Sequence, residues 1–373
     1  MACNVSSTSP FSEPSVDAAQ FEQLRGMVGS EFDVEDGFME YGIPTFYVRL
    51  REDSKQAFLR LVKSLDAIEL VPLLRRKKEK VVLQIVRKPP VKSSRSIINI
   101  GLFFATLGTV FLSGFLQSPD IVNAMMFTGA IIAILGSHEL GHKLLADKHA
   151  VEATYPYFIP GPPPIGTFGA VIQQKSLPPN RDALFDIGIT GPLMSFFVSI
   201  PIIIVGIIFS SYTWIPEGSH TLPIPILFQL IGLVFQPLGV SPPIPTEPGV
   251  TYLPGVTLHP LAFAGWVGIF VTLVNLVPAG MLDGGHVTRS FLGERTRNVL
   301  VYLTVAILFV MGPTFYFMAF IALFFSMYRH PGPFDDVSKI TTNRKVVALA
   351  LILIFILCVD WFQVIRTLTS VFT

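Results

Sequence analysis

The sequence is poor in charged residues and in cysteine. Lys, Arg, Asp and Glu make up 14% of its 373 residues, whereas a soluble domain contains about a quarter. Its two cysteines, Cys3 in a polar tail and Cys358 in an apolar segment, exclude a disulfide framework and a cysteine metal cluster. The net charge of +1 excludes a nucleic-acid-binding protein that depends on a large basic surplus.

The charged residues are also unevenly distributed. Residues 1–96 contain 15 of the 27 basic and 13 of the 26 acidic residues, as in an ordinary soluble domain. The remaining 277 residues contain only 25 charged residues, too few to cover a water-soluble surface. We therefore predict a small soluble domain followed by a polytopic α-helical membrane domain. The first twenty residues lack both an apolar core and arginine, so we expect neither a signal peptide nor a transit peptide.

The soluble part is predicted to be a disordered tail at 1–20 and an α+β domain at 21–96. The domain's expected elements are a strand at 45–50, a helix at 55–68, and strands at 69–74 and 81–86 joined by a basic turn at Arg75–Lys80. We recognise no catalytic set of residues in it. We therefore expect it to serve regulation or partner binding.

Six apolar runs follow, each long enough to cross a hydrocarbon core of about 30 Å. They lie at 97–117, 121–146, 183–210, 260–281, 298–328 and 346–368. The run at 298–328 contains Gly312-Pro313 at its middle and forms either one kinked helix or two short ones, which predicts six or seven transmembrane helices. We expect 97–328 to be the functional core and 329–373 to be a loop with an additional helix.

Basic residues indicate the orientation, because they accumulate in cytoplasmic loops. They are frequent before the first span and occur in the loops 147–182, 282–297 and 329–345, whereas 211–258 contains none. We therefore expect a multi-pass protein of the cell membrane with a cytoplasmic N-terminal domain and an external loop at 211–258. This arrangement favours two crossings within 298–328, although a re-entrant pair would satisfy the same charges.

The motif His138-Glu139-Leu140-Gly141-His142 at the end of the second span indicates metal chemistry. Helical positions four apart lie about 40° apart in angle and about 6 Å along the axis, so both imidazoles face the same way. Two imidazole nitrogens so placed can share one Zn²⁺, and Glu139 can act as general base toward its water. The alternative is a hydrogen-bonded polar cluster between helices, which is disfavoured because ionisable residues in a lipid-embedded helix are costly.

A catalytic zinc needs a third protein ligand. The candidates near membrane depth are Asp186, Asp283, Asp360 and His286. Asp360 is expected near the opposite leaflet from His138. We favour Asp283, because it ends the fourth span on the same side as His138 and precedes Gly284-Gly285, where the backbone can unwind and approach closely. Asp186 and His286 remain open alternatives.

Two residues before Asp283 are also of interest. Pro278 interrupts the helix and frees a backbone carbonyl beside the site. Asn275 can donate to and accept from a peptide backbone, and a hydrogen bond between helices is the less favoured alternative. Asp147 and Glu152 are disfavoured candidates for hydrogen-bonding partners of the metal ligands. We expect close helix packing at Gly191-Pro192 and Ser195.

The motif His138–His142 and the pattern Asn275-x-x-Pro-x-x-x-Leu-Asp283-Gly together resemble the site-2 protease family of intramembrane zinc metalloproteases, over about 97–328. The resemblance implies that His138, His142 and Asp283 bind zinc, that Glu139 activates water, and that Asn275 helps to hold the substrate. The N-terminal extension and the lack of room for a PDZ insertion are similar to the archaeal and plastid-type subgroup. The span at 346–368 lies beyond the family's core helices.

The Pro-rich loop at 160–172 predicts a turn followed by a short β-run that contains Phe168 and Gly169. In the family, the corresponding region is a membrane-embedded hairpin near the active site. A helical substrate must unwind before cleavage, because its peptide bonds are hydrogen-bonded. We expect the unwound segment to add to the hairpin as a strand, with Phe168 and Gly169 as substrate-binding residues.

The predicted function is an intramembrane zinc endopeptidase that cleaves transmembrane protein or peptide substrates within the lipid membrane. A metal-ion transporter that uses the same His and Asp residues is the alternative. A catalytically silent binder of membrane proteins is disfavoured, because the His-Glu-His-Asp set is complete. We expect no nucleic-acid partner, and the oligomeric state, a homo-oligomer included, stays open.

Overall fold

The structure is a computed structural model that describes residues 17–89, 96–219, 221–311, 315–327, 331–362 and 364–365. The predicted tail up to residue 16, Gly312-Pro313 and Cys3 lie outside these residues. The chain divides into two compact units. The first contains Met1–Pro90 and Phe334–Lys339, and the second contains Val91–Pro333 and Ile340–Thr373.

The first unit is an α+β fold with a four-stranded antiparallel sheet in the order β1-β2-β4-β3. Its elements are α1 (Ala18–Glu31), β1 (Asp33–Glu40), β2 (Ile43–Arg49), α2 (Ser54–Asp66), β3 (Leu70–Lys77) and β4 (Lys80–Arg87). The predicted strand, helix and hairpin are confirmed, but the hairpin turn is tighter than predicted, since Lys77 pairs with Lys80. The helix α1 and the strand β1 were not predicted, and α1 buries only Leu24 and Val28 within the core.

One face of this sheet packs against α1 and α2 around Phe46, Phe58 and Leu83, each completely buried. The short segment Phe334–Lys339 belongs to the same unit and pairs with β3 through one parallel bridge, between Leu74 and Asp335. The Leu74 N–H donates to the Phe334 carbonyl at 2.9 Å, and the Asp336 N–H donates to the Leu74 carbonyl at 3.1 Å. The edge of β3 is therefore paired with a segment from the C-terminal part of the chain.

The second unit is largely helical. Its helices are α3 (Ser96–Gln117), α4 (Ile121–Lys148), α5 (Arg181–Phe209), α6 (Ile226–Val234), α7 (Pro260–Leu276), α8 (Asp283–Phe291), α9 (Glu294–Val310), α10 (Tyr316–Ser326) and α11 (Thr342–Cys358). Its strands form two antiparallel hairpins, β5 (Tyr157–Pro160) with β6 (Thr167–Val171) and β7 (Ser211–Pro216) with β8 (Tyr252–Thr257). Among the described residues, α3, α4 and α5 are long and apolar enough to cross a membrane.

The first three predicted spans are therefore confirmed as helices. The fourth is shorter than predicted, because α7 ends at Leu276, two residues before Pro278, and contains 17 residues. The run at 298–328 contains two helices, α9 and α10, of 17 and 11 residues. The sequence analysis did not anticipate the separate helix α8, nor β7, α6 and β8 within 211–258.

Glycines bring α4, α5 and α7 close together. A Cβ atom on Gly141 of α4 would lie 2.8 Å from the Thr190 carbonyl oxygen of α5. A Cβ atom on Gly268 of α7 would lie 2.1 Å from Ser199 Oγ of α5. Small residues thus allow the three helices to pack at backbone distance, which places their side chains within reach of one another.

Candidate metal centre

Two helices bring three potential metal ligands together. His138 and His142 lie one turn apart on α4, and Asp283 is the first residue of α8. The two histidine Nε2 atoms are 3.2 Å apart, and Asp283 Oδ2 lies 3.2 Å from His138 Nε2 and 3.3 Å from His142 Nε2. These three residues form a group that could hold a metal ion.

The separations of these atoms fit a tetrahedral zinc. Ligand bonds of about 2.0–2.1 Å at tetrahedral angles place neighbouring ligand atoms about 3.3 Å apart. Asp283 Oδ2 is buried and accepts no hydrogen bond from any residue that the structure describes. A carboxylate oxygen and two imidazole nitrogens that converge at these distances are a ligand set that zinc binds, so the residues present fit a zinc ion.

Hydrogen bonds fix the orientation of both imidazoles. His142 Nδ1 lies 2.8 Å from the carbonyl oxygen of Ile187, which can only accept. The proton of His142 therefore sits on Nδ1, and Nε2 presents its lone pair to the metal group. His138 Nδ1 contacts Ser195 Oγ at 3.2 Å, and that hydroxyl contacts Thr272 Oγ1 at 3.1 Å.

These orienting partners were not predicted from the sequence. Asp147, a disfavoured candidate, forms an ion pair with Lys143, and the contacts of both Nδ1 atoms come from α5. The Ile187 carbonyl is a backbone atom, so no residue type marks it as a partner of His142. Ser195, a polar residue one turn after Gly191 in an apolar helix, could have been identified as a partner of a metal ligand.

Gly191 leaves the space that His142 occupies. A Cβ atom built on this residue would lie 2.1 Å from His142 Nε2 and 2.6 Å from two ring carbons. Any other residue at this position would collide with the ring. The Gly191-Pro192 pair, interpreted from the sequence as a packing element, therefore borders the metal centre itself.

Asp283 reaches the centre by a route that differs from the prediction. It does not end the fourth span but begins α8, after a turn that follows Leu276. Gly284 and Gly285 are helical rather than unwound, and Cβ atoms on them would lie 2.3 Å from the carbonyl oxygens of Leu276 and Gly280. The expected close approach of backbone is confirmed, and the expected unwinding is wrong.

The other candidates for the third ligand are engaged elsewhere or lie outside the group. Asp186 contacts His149 Nε2 at 2.9 Å and Arg344 Nε at 2.7 Å. Asp360 accepts a hydrogen bond from the Ile224 N–H at 2.8 Å. His286 lies one turn after Asp283 on α8 but is not a member of the three-residue group.

Glu139 lies between the two histidines and is 6% exposed. Its Oε2 accepts a hydrogen bond of 2.9 Å from the N–H of Ile172, the residue that follows β6. The backbone at the end of the β5–β6 hairpin is therefore in direct contact with the carboxylate adjacent to the metal group.

The predicted substrate-binding residues lie on two elements. Phe168 and Gly169 belong to β6, where Phe168 is 74% exposed and Gly169 has φ +105°, which favours glycine. Asn275 lies in the last turn of α7 and is half-buried, and its side chain forms no hydrogen bond with another described residue. The hydrogen bond between helices considered for Asn275 is thus not formed within the described chain.

Comparison with known proteins identifies the family. The model of peptidase family M50 matches residues 126–318. The chain is 31% identical over 246 residues to the probable zinc metalloprotease EGY1, chloroplastic, of Arabidopsis thaliana, covering 63% of this chain and 43% of that protein. It is 36% identical over 182 residues to the EGY1 protein of Oryza sativa subsp. japonica, covering 47% of this chain and 29% of that protein.

A third relative, the probable zinc metalloprotease EGY2, chloroplastic, of Arabidopsis thaliana, is 27% identical, with 61% of this chain and 40% of that protein covered. The chain thus spans less than half the length of these curated relatives. No solved structure matches it. The M50 match includes both histidines of the motif, Glu139 and Asp283. The resemblance inferred from the two motifs is confirmed, and the chain belongs to peptidase family M50, a family with zinc metalloproteases among its members.

Proposed function

We propose that this protein is an intramembrane zinc endopeptidase that hydrolyses peptide bonds within or near transmembrane segments of other proteins. The observation that carries the proposal is the convergence of three metal-ligand atoms beside Glu139, on a helix long enough to span a membrane. Such a buried group of ionisable residues in an apolar helix is costly unless it is used. The family membership supports a hydrolytic use.

In this proposal, His138, His142 and Asp283 hold the zinc ion. Zinc, when bound, polarises the scissile carbonyl and lowers the pKa of a water molecule. Glu139 takes a proton from the attacking water while the water oxygen bonds to the carbonyl carbon. The carbon–nitrogen bond then breaks, and Glu139 returns the proton to the leaving amine. The Ile172 N–H bond to Glu139 Oε2 orients this carboxylate.

The substrate is proposed to bind along β6. In the hairpin, β5 pairs with one edge of β6 and packs toward α3 through Phe158 and Phe103, whose rings are 5.2 Å apart. Among the described residues, no strand pairs with the opposite edge of β6. An unwound segment could add there and replace its lost helical hydrogen bonds. Ile172 follows β6 and contacts Glu139, so a substrate segment that pairs with β6 would extend to the catalytic carboxylate. Asn275 is proposed to hold the substrate backbone beside the metal ligands.

The six or seven spans, with the N-terminal domain and the metal centre on the cytoplasmic side, remain part of this proposal. Support comes from α3, α4 and α5, which meet the length requirement, and from the basic loops at the predicted inner side. Location in the cell membrane stays a prediction, and the relatives named above are chloroplastic.

The variant Glu139→Gln tests the proposal. Purified full-length protein should contain about one zinc per chain, and the variant should retain it while losing cleavage. The assay uses proteoliposomes that contain a single-span model substrate with a Gly-Pro pair in its transmembrane segment, followed by mass spectrometry of the products. Glu152→Gln is the matched control, because Glu152 is exposed and lies beyond the end of α4. A metal-free native protein, or a Glu139→Gln variant that still cleaves, would refute the proposal.

A metal-ion transporter built on the same residues makes the opposite prediction. Transport needs binding and release but no general base, so Glu139→Gln would retain part of the zinc flux into vesicles loaded with a fluorescent zinc indicator. The proteolysis proposal expects no zinc flux above that of empty vesicles in either the native or the variant protein.

A further inference from the structure

A second group of charged residues lies at one end of α4 and α5, apart from the metal ligands. It consists of Asp182 and Asp186 on α5, His149 at the end of α4, and Arg344 in the first turn of α11. Residues 126–318 match the M50 family, so Arg344 and the whole of α11 lie outside the matched region. The proposed chemistry uses none of these four residues.

Arg344 connects α11 to α5 through a two-point contact. Its Nε donates to Asp186 Oδ1 at 2.7 Å, and its terminal NH2 group lies 2.5 Å from Asp186 Oδ2. The other terminal nitrogen lies 3.1 Å from Asp182 Oδ2, and Asp182 Oδ1 accepts the Thr341 N–H at 3.0 Å. A planar guanidinium that meets one carboxylate with two parallel bonds fixes both partners in position.

Asp186 stands next to the backbone group that orients a metal ligand. The following residue, Ile187, provides the carbonyl that accepts from His142 Nδ1 at 2.8 Å. Asp186 also contacts His149 Nε2 at 2.9 Å, and His149 caps the same helix that carries His142. Asp186, the residue before Ile187, therefore connects α5 to α4 through His149 and to α11 through Arg344.

We propose that Arg344 is a positioning residue for the metal centre. Acting through Asp186, it holds the N-terminal part of α5 in the register at which the Ile187 carbonyl meets His142. This inference rests on the proposed function, because it takes His142 as a zinc ligand. It gives the helix beyond the family match a role in metal binding rather than in membrane anchoring alone.

The low exposure of both side chains indicates that the contact between Arg344 and Asp186 holds α5 and α11 in position. Asp186 and Arg344 are 17% and 25% exposed, so removing the guanidinium leaves a largely buried carboxylate with one cationic partner fewer. An uncompensated buried charge draws water or moves toward another partner. Without Arg344, the contact with His149 at 2.9 Å no longer has an opposing contact on the α11 side, and any move of Asp186 would displace the adjoining Ile187 carbonyl.

The test measures zinc affinity in the full-length protein in lipid nanodiscs, by competition with a chromophoric chelator. Arg344→Gln and Asp186→Asn should each weaken zinc binding about tenfold, the lower end of the loss on removing a partner of a metal ligand. The double variant should lose less zinc affinity than the two single losses combined, because both substitutions break the same contact between Arg344 and Asp186. Arg344→Lys should lose less, since an ammonium keeps the charge but not the two parallel bonds.

Lys345→Gln is the matched control. Lys345 is exposed, and its substitution removes one positive charge at the position that follows Arg344 on α11. Its zinc affinity should stay within twofold of that of the native protein. The visible spectrum of the Co²⁺-substituted protein supplies a second readout, since its ligand-field bands should change for Arg344→Gln and not for Lys345→Gln.

A role limited to anchoring α11 gives a different result. Arg344→Gln would then lower the melting temperature while the zinc dissociation constant and the Co²⁺ spectrum stay native, which would overturn the inference. If Arg344→Gln does not accumulate as folded protein, Asp186→Asn decides by the same two measurements. A native protein that binds no zinc would instead refute the proposed function, and that outcome is visible before any variant is compared.

Discussion

Gly191→Ala should remove zinc from the protein while leaving its fold intact. The new Cβ atom would lie 2.1 Å from His142 Nε2, whereas real Cβ atoms essentially never approach within 3.0 Å and ordinary contact begins at 3.4 Å. The His142 ring must therefore retreat by about 1 Å. Metal–ligand distances tolerate a change of only about 0.2 Å, so His142 would leave the ligand set.

The expected loss follows from the number of ligands. Displacing an orienting partner costs about 10–100-fold in metal affinity, and losing one of three protein ligands should cost more than about 100-fold. The helix itself should be preserved, because alanine favours helix formation over glycine by about 1 kcal/mol. The assay is zinc content by plasma mass spectrometry after dialysis against buffered zinc, together with the melting temperature of the metal-free protein.

Gly129→Ala is the control for this experiment. Gly129 lies on the metal-bearing helix α4, is exposed, and has no heavy atom within 4 Å of a Cβ built on it. Its zinc content should equal that of the native protein. If Gly191→Ala kept native zinc content and affinity, His142 could not occupy the position on which the metal centre is based, and the reasoning would fail.

Three further changes test separate parts of the proposal. Ser195→Ala removes the partner of His138 Nδ1 and should weaken zinc binding about 10–100-fold by chelator competition, whereas Ser199→Ala, one turn later on α5, should not. Asn275→Ala should lower the rate of model-substrate cleavage at least tenfold with native zinc content, and a rate within twofold of native would contradict its role in holding the substrate backbone. Gly169→Pro should abolish strand addition at β6 and lower cleavage without changing zinc content, and unchanged cleavage in proteoliposomes would exclude the hairpin as a substrate edge.

The convergence of His138, His142 and Asp283 could be predicted from the sequence because these residues follow local rules. His138 and His142 face the same way by helical spacing alone, and Asp283 follows from the need for a third ligand on the same side. The path of the chain to Asp283 could not be predicted as well. A proline two residues beyond a helix end marks an interruption, but it does not reveal that a new helix, α8, starts five residues later.

The partners of the ligands could not be predicted for a different reason. The Ile187 carbonyl is a backbone atom, so no residue type marks it, and Ser195 becomes meaningful only when α5 is packed against α4. The contact of Arg344 with Asp186 joins residues 158 positions apart, and charge pattern alone assigned Arg344 to a cytoplasmic loop. Local periodicity is thus enough to predict the helices. The orientation of the ligand rings depends on contacts between distant segments, which local periodicity does not predict.

The pairing of Phe334–Lys339 with β3 has a consequence for synthesis of the chain. Arg75 also donates to the Phe334 carbonyl, from a position 259 residues earlier. At about 5–20 residues per second, the ribosome needs roughly 13–50 s to make that interval. The helices α3 to α10 are therefore translated before Phe334–Lys339, so Leu74 cannot form its bridge to Asp335 during that interval. The N-terminal α+β unit can thus be completed only after these helices have been synthesised.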